Sequence, residues 1–183
     1  MTIVEIILRY RLAFSEGLLV TLQLASIAWI SGLLIGTVIG TLASRYRQSV
    51  GYPLRAASFA LVAIPPIVLL YWAHYPLQDV MGVVINPFVT ASAIFSLINV
   101  VLVAEIIRTT LDAFRGEYRV AAKVSGMTRL ETLRYVEFPL IARQAIPSVL
   151  AAQVLILQST LFASLISVEE LFRVSQRINP PVA

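Results

Sequence analysis

GLLVTLQLASIAWISGLLIGTVIGTLAS, running from Gly17 to Ser44, contains no Asp, Glu, Lys or Arg. Coiled at 1.5 Å rise per residue, it exceeds the ~20 residues that cross a ~30 Å hydrocarbon core. Three more runs share the property: Ala56 to Gln78, Val80 to Ala104 and Gln144 to Val168. In lipid the backbone must satisfy its own N–H and C=O groups, so such runs are helical. The reading is an all-α integral membrane chain with four spans, approximately 17–44, 56–75, 83–104 and 144–168, in one transmembrane domain over 1–183.

Composition agrees. Hydrophobic residues are 58% and charged residues 13% of the 183, about half the charged fraction of a soluble domain. The net charge of +4 comes from cations in the connections, with no basic stripe of interleaved aromatics, which excludes a nucleic-acid partner. The absence of cysteine excludes disulfides and thiolate metal sites. Glu5, Arg9 and Arg11 at the start, and the length of the first span, argue against a cleavable signal.

The loops set an orientation. Arg45, Arg47 and Arg55 follow span one, only Asp79 beside His74 follows span two, and the connection from Glu105 to Arg143 holds seven cations and five anions. The positive-inside rule places the first and third connections in the cytoplasm and the N-terminus outside. Tyr71, Trp72 and Tyr75 form an interfacial belt at the outer end of span two. After Val168 no fifth span follows before Pro180-Pro181, so the chain reads either as ending there or as a truncated form. His74 reads as an ordinary interface residue, with no metal site. Gln153 reads as a helix-to-helix hydrogen bond.

Within the spans, Gly32, Gly36 and Gly40, with Ser44, recur every four residues and admit close approach of another backbone, inside the subunit in preference to between subunits. Pro65-Pro66 interrupts span two, either as a structural kink or as a broken helix lining a pathway. Glu105 and Arg108 share a helix face and read as a gate pair or, in preference, as an interfacial ion pair with Arg108 snorkelling to headgroups. No nucleophile with a base, and no buried carboxylate pair, supports an intramembrane enzyme; the catalytic set is empty. Paired broken helices of a secondary transporter or channel are equally missing.

The region 108–143 is too patterned for a plain loop. Val120-Ala121-Ala122-Lys123-Val124-Ser125-Gly126 reads as a short helix stopped by glycine, and Thr128 with Glu131 as a capping box opening a second helix that runs to Pro139, with Pro147 introducing span four. This hairpin would either fit a partner's cleft or lie on the membrane as an amphipathic surface element.

Those residues carry a resemblance. Val120-Ala121-Ala122 with Gly126, then Glu137-Phe138-Pro139, resembles the coupling loop of ABC-importer permeases. Gly17 to Leu24 resembles the opening span of the polar amino-acid uptake branch of that family (the histidine, glutamine and arginine type). Ala104-Glu105-Ile106-Ile107-Arg108 matches its span-three segment, and Ala163 to Leu171 with Gln176-Arg177-Ile178-Asn179 resembles its ending before the last helix.

The resemblance implies the type I ABC-importer permease fold, five spans with the N-terminus outside, in the bacterial inner membrane. It implies a second permease subunit, two cytoplasmic ATP-binding subunits docked on coupling helices, and an extracytoplasmic solute-binding protein delivering a polar amino acid. ATP and Mg would sit on the partner ATPases, leaving this chain without a cofactor. Val120, Ala121, Ala122, Lys123, Gly126 and Met127 would form the ATPase-coupling surface. Pro65, Pro66, Glu105, Arg108, Gln158, Ser159 and Thr160 fall where the family lines its pathway. Permeases for a compatible solute, an opine or methionine are the runner-up.

The departures share a direction. Val120 replaces the glutamate that opens the coupling motif, and Thr109-Thr110 a Gly-Gly pair. Ala63-Ile64-Pro65-Pro66 stands where the family has Arg-Gly-Thr-Pro, Ala151 where it has asparagine, and Gln158-Ser159-Thr160-Leu161-Phe162 where it has Lys-Asp-Thr-Ser-Leu. Most remove charge or polarity, which suggests the substrate-silent half of a heterodimer.

Overall fold

A computed structural model describes residues 9–114 and 116–178. Glu5, Asn179 and Pro180-Pro181, used in the sequence reading, lie outside the described residues. Helix α1 covers Arg11–Arg45 and opens into a π-turn at Gly32–Gly36. A second π-turn, Arg47–Gly51, begins α2, Arg47–Ala63. Next come α3, Pro66–Met81, and α4, Pro87–Ala113. The short α5, Gly116–Val124, precedes the long α6, Arg129–Ile166, and α7, Leu171–Ile178, follows.

Local chemistry fixes the starts. Asn86 Oδ1 accepts the Phe88 N–H at 2.8 Å, and Pro87 occupies the first turn of α4, where its missing donor is not needed. Thr128 Oγ1 accepts the Glu131 N–H at 3.3 Å while Glu131 Oε2 accepts the Thr128 N–H at 2.8 Å, so the expected capping box opens α6.

One expectation is decided and another needs correction. Of the two readings of Pro65-Pro66, the broken helix holds and the kink does not: α2 and α3 meet at 92°. Neither Pro65 nor Pro66 has an N–H to donate, and the residue before a proline is forced out of the helical region, as Ile64 is at φ −101°, ψ 120°. Among the described residues three helices are long and apolar enough to cross a membrane, four if the bent pair counts as one span. Nor does the helix after Thr128 stop at Pro139. It runs without a break into the fourth span, because a π-turn at Thr132–Glu137 leaves Pro139 in the first turn of the helix that follows, while Pro147 is carried inside it.

The bundle packs around α4. Leu24, Phe95, Leu70 and Ile156 form one core, and Ala43, Leu54, Val101 and Ala104 a second nearer the α4–α5 end. The glycine stripe of α1 faces α4 of the same chain. A Cβ on Gly36 would lie 2.7 Å from the Val100 carbonyl oxygen, and one on Gly40 2.4 Å from that of Ala104. A buried polar clasp joins three helices. Asn99 Nδ2 donates to the Ala28 carbonyl at 2.8 Å and to Gln153 Oε1 at 2.9 Å, and Trp29 Nε1 donates to the Gln153 carbonyl at 3.0 Å. Large apolar side chains such as Leu19, Leu34, Val38 and Leu155 point outward, the surface of a chain whose solvent is lipid or another membrane-embedded chain.

Candidate functional site

The α5 hairpin is built by one glycine. At the end of α5 the Met127 N–H reaches the Ala122 carbonyl at 3.1 Å and the Gly126 N–H the Lys123 carbonyl at 3.1 Å, with Gly126 left-handed at φ 77°. This is the Schellman closure, which needs a residue without a Cβ penalty at that point. Ala122 is buried against the following helix, while Val120 and Val124 are exposed at 64% and 83%. Ala121 and Lys123 are exposed beside them, and Met127 is half-buried. Leu130, Leu133 and Phe138 extend the exposed apolar surface along the start of α6. A rigid, apolar, outward-facing protrusion suits a cleft on another protein. Its burial pattern explains the alanine at position 122, and its turn explains the glycine.

Glu105 and Arg108 are brought together, but not as a snorkelling pair. The Arg108 side chain is 5% exposed, its guanidinium held between Glu105 and Asp112, with Nη1 2.8 Å from Asp112 Oδ2. Asp112 in turn accepts from Ser44 Oγ at 2.7 Å and faces Arg47 Nη2 at 3.4 Å, both near the end of α1. A charge buried this deeply in an apolar helix pair is held by partners rather than by water. The sequence reading missed Asp112. Its place four residues after Arg108 was the available signal.

The remaining pathway candidates do not form one site. Pro66 and Ser159 share a groove of about 300 Å³ between the α2–α3 break, α4 and α6. Its lining includes Ser58, Leu61, Ile98, Leu155 and Phe162 and no ionisable side chain. Pro65 is exposed beside it. Gln158 and Thr160 line instead a shallow apolar groove of about 760 Å³ against α7. Ser159 Oγ donates to the Leu155 carbonyl at 2.8 Å and Thr160 Oγ1 to the Leu157 carbonyl at 2.7 Å, so both hydroxyl protons are already engaged within the helix.

At the opposite end, Glu170 was also missed. It is 2% exposed and caps α7, accepting the Phe172 and Arg173 N–H groups at 2.8 Å each. Burial lifts its carboxyl above the ordinary range, against those two hydrogen bonds and the Arg173 charge, which draw it down. His74 joins Gln78 and Thr90 in a hydrogen-bonded cluster, and no metal-ligating group of side chains occurs among the described residues.

Comparison with known proteins settles the family. The model of the binding-protein-dependent transport system inner membrane component family matches residues 32–179, from the glycine stripe through the hairpin to the end of α7. The chain belongs to that family. Among its relatives, the glutamate/aspartate import permease protein GltK of Escherichia coli O6:H1 is 24% identical over 172 residues, covering 89% of this chain and 76% of the relative. The glutamine transport system permease protein GlnP of Escherichia coli K12 is 29% identical over 157 residues, covering 82% and 72%. A solved amino acid ABC transporter crystallised with histidines superposes with TM-score 0.81 at 24% identity, covering 96% of this chain and 81% of that one. The inward-facing MetNI methionine ABC transporter gives 0.73 at 16% identity, covering 94% and 82%. The fold is therefore that of the type I ABC-importer permease, and this family member is a membrane-embedded transport subunit.

Proposed function

We infer that this chain is one of two membrane-spanning subunits of an ATP-driven importer for a polar amino acid, seated in the bacterial inner membrane with its N-terminus outside. The observation that carries the reading is the α5 hairpin: a Schellman-closed, outward-facing apolar protrusion, rooted in α4 and continuous with α6, on a chain of this family. Two cytoplasmic ATP-binding subunits dock there, and their nucleotide-driven closure moves the helices to which the hairpin is attached. The relatives named for glutamate, aspartate and glutamine supply the substrate class. An extracytoplasmic binding protein selects the solute, because the groove at Pro66 and Ser159 offers it no ionisable side chain. The same poverty of charge favours a heterodimer in which the second permease holds the substrate.

The test is reconstitution of this chain with its second permease, ATPase and binding protein in proteoliposomes. ATP-dependent uptake of labelled glutamate, aspartate, glutamine or basic amino acids is the expected result. Uptake restricted to methionine or a compatible solute would overturn the substrate class.

A further inference from the structure

The ion pair at the hairpin end has a third member that reaches across to another helix, and its position matters more than its charge. Asp112 lies one residue before the end of α4, and only a short link separates it from α5. Its two carboxylate oxygens are divided between helices. Oδ1 takes the Ser44 hydroxyl of α1 at 2.7 Å, while Oδ2 takes Arg108 of α4 at 2.8 Å and Arg47, next to the end of α1, at 3.4 Å. Arg108, almost wholly buried, is held by Glu105 on its other side, so the cluster of Glu105, Arg108, Asp112 and Arg47 is neutral overall. Immediately toward the core, Gly36 and Gly40 set the α1 backbone against that of α4 with no room for a methyl group. Close packing and the ionic clasp act on the same pair of helices.

We propose that Asp112 is a positioning residue for energy coupling. It ties the end of α1 to the root of the coupling hairpin in every state of the cycle, so that a displacement of α5 by the docked ATPase moves α1 and α4 as one body. The proposal rests on the ATPase-docking reading above. Without the tie, a push on α5 would be taken up by α4 alone, and the Ser44 end of α1 would stay behind.

The test uses the assembled complex of permeases, ATPase and binding protein loaded from a mixture of standard amino acids. Asp112→Ala is expected to lower the ratio of binding-protein-stimulated to basal ATP hydrolysis about tenfold, within the range of ordinary coupling free energies, with Asp112→Glu restoring most of it. A residue that merely stabilised the fold would lower both rates together and leave their ratio intact, which would overturn the proposal. Because the chain has no cysteine, Ser44→Cys with Asp112→Cys gives the one thiol pair of this subunit. Bridged by a short bis-methanethiosulfonate reagent, it should couple at the wild-type ratio and fall to the alanine level when the bridge is reduced. A bridged complex that stalls and recovers on reduction would show a contact that must open, and the tie would be wrong. Hydrogen exchange on the same complex needs no substrate and reads the tie even if the uptake assignment fails. Asp112→Ala should raise exchange in residues 40–46 and 108–113 together, and a rise confined to 108–113 would refute it.

Discussion

Gly126 shows how little of a residue's importance lies in what it touches. No atom stands within 4 Å of where its Cβ would be, yet its φ of 77° is one that side-chain-bearing residues adopt at a cost of about 1–2 kcal/mol. Gly126→Val should therefore uncouple ATP hydrolysis from uptake and reduce assembly, while Gly126→Asn, which tolerates the left-handed region, should keep both. Wild-type coupling in the valine variant would count against docking at the hairpin. Gly32 is the opposite case: its space is filled, with Asn99 Nδ2 2.2 Å from the position of a Cβ. Gly32→Ala should displace Asn99 and leave Gln153 short of a partner, at about 1–3 kcal/mol. Asn99→Ala alone also destabilises, but the double variant should cost less than the sum of the two. Additive losses in detergent unfolding would contradict the clasp. The glycines, the hairpin turn and the capping box were legible because each is a local rule. Asn99 was passed over as one amide in a long apolar run, although a lone polar side chain there was the clue.

At the level of elements, charge-free runs located the spans but not their ends. Glu105, the first charge after Val80, was taken to end span three, whereas α4 continues through Arg108 and Asp112 to Ala113 because those charges satisfy each other. Prolines differed in their effect. Pro65-Pro66 bends the chain far more than a kink, since two consecutive donors are missing with an extended residue before them. Pro139 breaks nothing, since it falls in the first turn of the helix that follows a π-turn. The short α7 depends on its cap. Glu170 is held above the usual carboxylate range by burial, so its contribution to stability is complete below the unfolded value of about 4.5 and is lost as pH rises through the higher folded value. Thermal unfolding of wild type should show this decline from about pH 4.5 upward, and Glu170→Gln should flatten that part of the profile. An unchanged slope in the variant would mean that the carboxyl does not titrate there.

For the whole molecule, the resemblance in the sequence led to the fold because motif order and spacing are global properties. The pathway was not legible in the same way. Gln158, Ser159 and Thr160 are adjacent in sequence yet face two grooves, and a chain with one subunit's surface presents half of any channel formed by two. If this chain is the substrate-silent half, alanine at Gln158, Ser159 and Thr160 together should leave the uptake KM within about twofold of wild type, well under the tenfold that 1.4 kcal/mol of lost binding represents. A tenfold rise in KM would place substrate on this subunit.

The π-turn at Gly32–Gly36 solves a problem of phase. Four residues of α-helix overshoot a full circle by about 40°, so a glycine at every fourth position would spiral away from its partner within two turns. The wider π-turn advances less per residue and falls short of the circle over the same four positions. One segment of each kind, Gly32 to Gly36 and then Gly36 to Gly40, makes the errors cancel, and the three glycines stay on a straight line along α4. The turn is thus a vernier that lets a four-residue sequence rhythm ride on a 3.6-residue helix. Removing a single residue from it would put Gly32 and Gly40 seven apart on a plain α-helix, still within about 20° of each other, and would swing Gly36, then three residues from Gly32, about 60° off the line.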